Sequence, residues 1–268
     1  MKKELSYVVL FDSLFVFLLF FSGMLAGVVS DILLYIAFVL PLSLAFFMHK
    51  KCDNVRFLPI RIKKNNAILA LPTIFPTLAV VFLISWLTSL VLSYFGNGAN
   101  TDVSGNIALV IIQKALITAL LEELLFRYVP IAYLSGISKR GAILYSACFF
   151  SLVHLNFYQI PYAFVAGLIF AAVDIAFDSI IPSFVMHFAN NVLSIFWMRH
   201  SADFTFFIVY VSLVFGIALV SVAILILLSH NYREKFAYLF SDKRRIGINA
   251  TASVFVFLML VISASALL

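Results

Sequence analysis

An all-α, polytopic bundle of about eight or nine membrane-spanning helices is the fold this sequence predicts, and three observations predict it. Hydrophobic residues make up 64% of the 268 and charged residues 11%, with a mean hydropathy of +1.13, a balance that excludes a soluble domain. Apolar runs of about twenty residues recur, the length that crosses a hydrocarbon core roughly 30 Å thick at about 1.5 Å per residue. Fifteen of the eighteen Lys and Arg fall in four short segments between those runs. A transmembrane barrel would show short alternating segments instead, and the 30 phenylalanines suit helices that face lipid.

The runs lie at about 7–28, 31–49, 67–94, 107–136, 141–159, 161–177, 179–198, 204–229 and 247–268. Lys2 and Lys3 precede the first, whose apolar length exceeds that of a signal-peptide core, so it reads as a retained anchor. Lys50, Lys51, Arg56, Arg61, Lys63 and Lys64 separate the second from the third. The stretch Gly96 to Gly105 is a loop with no basic residue. Lys139 and Arg140 follow the fourth run, and Arg233, Lys235, Lys243, Arg244 and Arg245 precede a possible extra C-terminal transmembrane helix at 247–268. With a cytoplasmic N-terminus, nine alternating spans put all four basic segments in the cytoplasm, as the positive-inside rule requires.

The expectation is therefore a single integral membrane domain over 1–268, in the plasma membrane. Its net charge of +6 follows from topology and from attraction to anionic lipid, without a nucleic-acid partner. Cys52 and Cys148 form neither a disulfide framework nor a metal-type pair.

Within the apolar runs the ionisable residues are few: Asp12, Lys114, Glu122, Glu123, Arg127, His154, Asp174, Asp178 and His187. Asp12 and Lys114 are expected to reach the interface, Asp178 to sit in a short break between spans, and Asp174 to be interfacial or hydrogen-bonded. His49, His200 and His230 mark span ends. The other five are deep, where an unpaired charge costs roughly 2.5–3.5 kcal/mol on insertion scales. Glu123 and Arg127, four apart, share a helix face and fall within pairing distance, whereas Glu122 points about 100° away, toward a different helix. Glu122 is about sixteen residues, roughly 24 Å, from Ser138, and His154 about fourteen residues, roughly 21 Å, from Arg140. His187 is shallower, and Asn191 lies one turn deeper, so all of them overlap in depth. Pro130 and Pro182 are expected to open a cavity toward the cytoplasm.

Glu122-Glu123-x-x-x-Arg127, Phe150-x-x-x-His154 and His187-x-x-x-Asn191, in that order, resemble the motifs of the CAAX protease and bacteriocin-processing family, also called Abi, which includes the type II CAAX prenyl endopeptidases. The resemblance spans about 107–198, the catalytic-motif core. The separation of His154 and His187 is short beside the prenyl endopeptidases.

Peptide hydrolysis needs a base that activates water and donors aimed at the tetrahedral oxyanion. Glu122 with His154 suits the first task and His187 with Asn191 the second, a division the resemblance also implies, with Glu123 and Arg127 in support. Metal-independent glutamate chemistry is preferred, with zinc on Glu122, His154 and His187 as the alternative. H-E-x-x-H is absent, as are the G-x-S-G and G-x-G-D motifs of other intramembrane proteases. Readings of another class are a self-immunity or regulatory membrane protein, a transporter, and charges that only hold helices together. The expected partners are membrane lipids and a hydrophobic or lipidated peptide or protein, a bacteriocin-like leader or signalling precursor among them.

Overall fold

A computed structural model of the chain describes residues 3–25, 27–52, 54–93, 103–200 and 202–241. It is all-helical, with no strand among the described residues. We number the helices α1 (Lys3–Gly23), α2 (Gly27–Met48), α3 (Lys64–Ser93), α4 (107–134), α5 (Lys139–Leu152), α6 (Ile160–Phe177), α7 (Ile181–His200), α8 (Phe204–Leu227) and α9 (Ser229–Ser241). Five of these, α1, α2, α3, α6 and α8, are long and apolar enough to cross a membrane. The proposed span at 247–268 lies outside the described residues.

Helix ends follow the sequence closely where a capping side chain is present. Asn106 Oδ1 accepts from the Ala108 amide at 2.9 Å to start α4, and Asp203 Oδ1 accepts from Thr205 at 2.8 Å to start α8. Ser138 Oγ does the same for α5 through the Gly141 amide, at 3.2 Å. Asp178 closes α6 in the left-handed conformation, φ 51°. Its carboxylate lies 3.3 Å from Arg56 at an exposed position, consistent with a break between spans.

Two stretches of α4, Ile111–Ile117 and Leu124–Tyr128, are wound as π-helix, a form common at functional sites. Pro130 has no amide hydrogen to give the Phe126 carbonyl, and the Ser146 hydroxyl of α5 donates to that oxygen instead, at 2.5 Å. Gly167 lets α6 lie against α5: a Cβ there would stand 2.8 Å from the Cα of Ala147.

Among the described residues, the basic linker after α2, the Lys139–Arg140 pair and α9 gather at one end of the bundle. The linker after α2 meets the end of α4, with the Arg56 amide donating to the Ala132 carbonyl at 3.1 Å and Tyr133 Oη donating to the Ala45 carbonyl at 2.5 Å. Asn66, at the start of α3, donates to the Phe177 carbonyl at the end of α6, at 2.8 Å. Lys235 Nζ of α9 donates in turn to Asn66 Oδ1 at 2.9 Å, and Arg140 Nε donates to the Leu239 carbonyl at 3.1 Å. Helix α9 thus straps this basic end.

Several expectations need correction. Residues 229–241 are helical where a loop was expected, because Tyr232, Phe236 and Leu239 recur at helical spacing and pack near Phe177. The fifth apolar run ends as a helix at Leu152, not 159, and residues 153–159 form a turn in which Leu155 takes φ 49°. Asp12 does not reach the interface: it is 1% exposed, and Tyr145 Oη donates to it at 2.6 Å. Pro182 is buried as the second residue of α7, where a missing amide hydrogen costs no helix bond, and it lines none of the cavities at the site. Pro130 is also buried, at the closed end of the site.

Candidate active site

The deep polar residues converge from two helices and one turn. Glu122 and Glu123 come from the middle of α4, His187 and Asn191 from α7, and His154 from the turn after α5. Arg127 is 0% exposed and Glu123 1%, with Nη1 and Oε1 3.1 Å apart, as their four-residue spacing predicts. That contact is an ion pair whose angle lies outside hydrogen-bonding geometry. The guanidinium carbon stands 3.5 Å from the Phe150 ring centroid and 5.4 Å from that of Phe170. A buried cation is thus held by one carboxylate and two aromatic faces.

His187 lies between the two glutamates. Its Nδ1 is 2.6 Å from Glu123 Oε1, and its Nε2 is 3.5 Å from Glu122 Oε2. The short contact fixes the ring, because a carboxylate accepts and Nδ1 must donate. His154 is fixed in the same way by its own helix, with Nδ1 donating to the Phe150 carbonyl at 2.7 Å, so that Nε2 carries the lone pair. The Phe150 ring meets both imidazoles edge-on, at 4.9 Å from His154 and 5.5 Å from His187.

A cavity of about 270 Å³ opens onto this group, and Glu122, His154, His187 and Asn191 all line it. Glu123 and Arg127 do not; they lie behind it. A second cavity, of about 280 Å³, shares Thr118, Glu122, His154 and Gln159 with the first and is otherwise walled mainly by apolar residues of α1, α2 and α4, such as Phe15, Leu34, Phe38 and Leu121. A third, of about 220 Å³, shares Tyr162, Asn190 and Ser194 with the first and runs between α3, α7 and α8. Glu122 and His154 therefore stand where the first two cavities meet.

Two participants carried a weaker signal in the sequence. Asp174 is hydrogen-bonded, as one of its expected roles had it, but it is fully buried, not interfacial. Its Oδ1 accepts the Ser183 amide at 3.0 Å in the first turn of α7, one turn before His187. Lys114 lines the site cavity, and the spacing Lys114, Thr118, Glu122 along one helix face would have indicated it.

Nδ1 of His187 is taken by Glu123 and Nδ1 of His154 by a backbone carbonyl, which leaves both Nε2 atoms available, an arrangement that a metal-bound imidazole also uses. Among the described residues no three His, Cys, Asp or Glu side chains come together as a metal-holding group.

Residues 104–193 match the family model described as Type II CAAX prenyl endopeptidase Rce1-like. No curated protein and no solved structure gives a match. The matched stretch runs from the loop before α4 into α7 and contains all six polar positions described above. Over residues 104–193 this chain is accordingly similar to the Rce1-like family, a likeness consistent with a CAAX protease of the CAAX protease and bacteriocin-processing family.

Proposed function

We propose that the chain is an intramembrane endopeptidase that hydrolyses a peptide bond in a hydrophobic or lipidated peptide, by glutamate-activated water and without a metal. The observation that carries this reading is His187, held by buried Glu123 on one ring nitrogen and facing Glu122 with the other, at the end of a cavity that Asn191 and His154 also line. Glu122 takes a proton from a water that His154 Nε2 helps to hold. The hydroxide adds to the carbonyl carbon, and the resulting oxyanion accepts hydrogen bonds from Asn191 and from His187 Nε2–H. That donation requires the imidazolium, whose charge Glu123 offsets across 2.6 Å. Collapse breaks the C–N bond, and Glu122 returns its proton to the departing amine.

In this reading α4, α5 and α7 lie in the membrane with the five long apolar helices, making eight spans before residue 242. The single domain has 107–198 as its catalytic core, and the protein sits in the plasma membrane with its N-terminus in the cytoplasm. The apolar slot against α1 and α2 suits an aliphatic or lipid-modified residue beside the scissile bond. The test is mass spectrometry of membrane peptides from cells carrying the native chain or Glu122→Gln. A cleavage product present only with the native chain supports the proposal, and identical peptide sets sink it. Retention of cleavage after exhaustive chelation separates the glutamate mechanism from a zinc one.

A further inference from the structure

We infer that the site takes its peptide from the membrane face opposite the basic segments, so that its substrate is a segment of an exported peptide and not the tail of a cytosolic protein. The side of access follows from the geometry together with the positive-inside rule; what enters rests on the peptidase reading above.

Each helix that walls the site contributes the half that points away from the basic end. On α4 the lining residues are Lys114, Thr118 and Glu122, all before the Glu123–Arg127 pair. On α7 they begin at His187 and run to Met198, away from Ile181. On α6 they stop at Phe170, short of Phe177. The two adjoining cavities obey the same rule. The apolar one meets α1 at Phe15 and Leu19, beyond its midpoint, and meets α2 at Leu34, Tyr35 and Phe38, before its last turns. The other meets α3 from Leu78 to Ser89 and α8 at Tyr210 and Val214, near its start.

Toward the basic end the site is sealed. Residues 125–134 of α4 and 173–177 of α6 are all buried, and Arg127 and Asp174 are both fully enclosed. The pocket that does open at the basic end, lined by Pro59, Arg61, Lys63 and Asn66, shares no residue with the site. The basic end carries the 50–64 linker, Lys139, Arg140 and α9, and the positive-inside rule places such an end in the cytoplasm. A mouth at the other end faces outward. The outer half of the bundle is also where residue 103 and Met198 rim the cavity.

Labelling of single cysteines tests this without a known substrate. The full chain with Cys52→Ser and Cys148→Ala receives Met198→Cys, Ser194→Cys or, at the basic end, Lys51→Cys, and sealed cells are treated with a membrane-impermeant charged maleimide. Met198→Cys and Ser194→Cys should label in sealed cells about tenfold more than Lys51→Cys, which should label only after lysis. Label on Lys51→Cys in sealed cells with none on the cavity positions overturns the inference, as does protection of both cavity positions in sealed cells when they label after lysis. Two cavity positions guard against one that misfolds, and labelling in detergent confirms that each folded chain carries a reactive thiol. Because labelling reads water access and not cleavage, unchanged peptides in the Glu122→Gln comparison would remove the peptidase reading and leave the side of access standing.

Discussion

Oε1 of Glu123 is shared: His187 Nδ1 lies 2.6 Å from it and Arg127 Nη1 3.1 Å from it, although the imidazole comes from α7 and the guanidinium from α4 itself. One buried oxygen therefore orients the ring that faces the cavity and balances the cation behind it. The neighbouring Glu122 has no such duty and is 17% exposed to the cavity.

Substitution separates the two glutamates. Glu123→Gln leaves Arg127 as an uncompensated buried cation, and breaking a pair of this kind costs about 3–5 kcal/mol. Thermal unfolding in detergent should fall sharply for Glu123→Gln, while Glu122→Gln unfolds near the native temperature and loses cleavage about 10²–10⁴-fold. Equal melting of the two variants would contradict the division of roles.

Arg127→Lys is not conservative at this site. The guanidinium carbon sits over the Phe150 ring, 3.5 Å from its centroid, and an ammonium lacks the planar, delocalised group that can stack there. A desolvated cation–π contact contributes about 2 kcal/mol. The lysine variant should be destabilised by that order, and chemical denaturation against Phe150→Leu and the double variant measures the coupling.

Much of this site was legible along a single helix, and little of it between helices. The Glu123–Arg127 pair followed from four-residue spacing, and depth counting put Glu122, His154 and His187 in one layer. The contact between Glu123 and His187 joins positions 64 residues apart, and no local pattern encodes it. Asp12 was misjudged for a related reason. Lipid is as apolar as a helix interface, so Phe11 and Phe15 are buried while Phe17 and Phe20 are exposed on the same helix, and composition does not tell the two faces apart. The π-helical turns and the left-handed Leu155 beside His154 also lack a sequence signature, because tertiary packing selects them. Helix α9 did have one, a stripe of Tyr232, Phe236 and Leu239, hidden by the polar residues between.

Asp174 offers a test of positioning as distinct from chemistry. Its carboxylate accepts the Ser183 amide one turn before His187 and lines no cavity wall at the site. Asp174→Ala strands that buried amide, at about 1–3 kcal/mol, whereas Asp174→Asn keeps an acceptor. Cleavage kinetics should show Asp174→Ala lowering kcat with KM little changed, and Asp174→Asn should recover most of the loss. A matching rise in KM in both variants would place Asp174 in substrate binding instead.

Close packing of α5 and α6 sets the depth of His154, and Gly167 controls it. A methyl at 167 would meet Ala147 Cα at 2.8 Å, a backbone atom that cannot swing aside as a side chain can. The helices must therefore separate for any larger residue. Overpacking of this kind costs about 1–3 kcal/mol, and it moves the end of α5, from which His154 hangs two residues beyond Leu152. Gly167→Ala should lower both thermal stability and turnover, and Gly167→Leu should lower them further. Pairing Gly167→Ala with Ala147→Gly tests the cause, since removing the facing methyl relieves the 3.1 Å contact to the Ala147 Cβ but leaves the backbone clash. Partial rescue of melting temperature is the expected result, and full rescue would mean that the Cβ alone sets the helix separation.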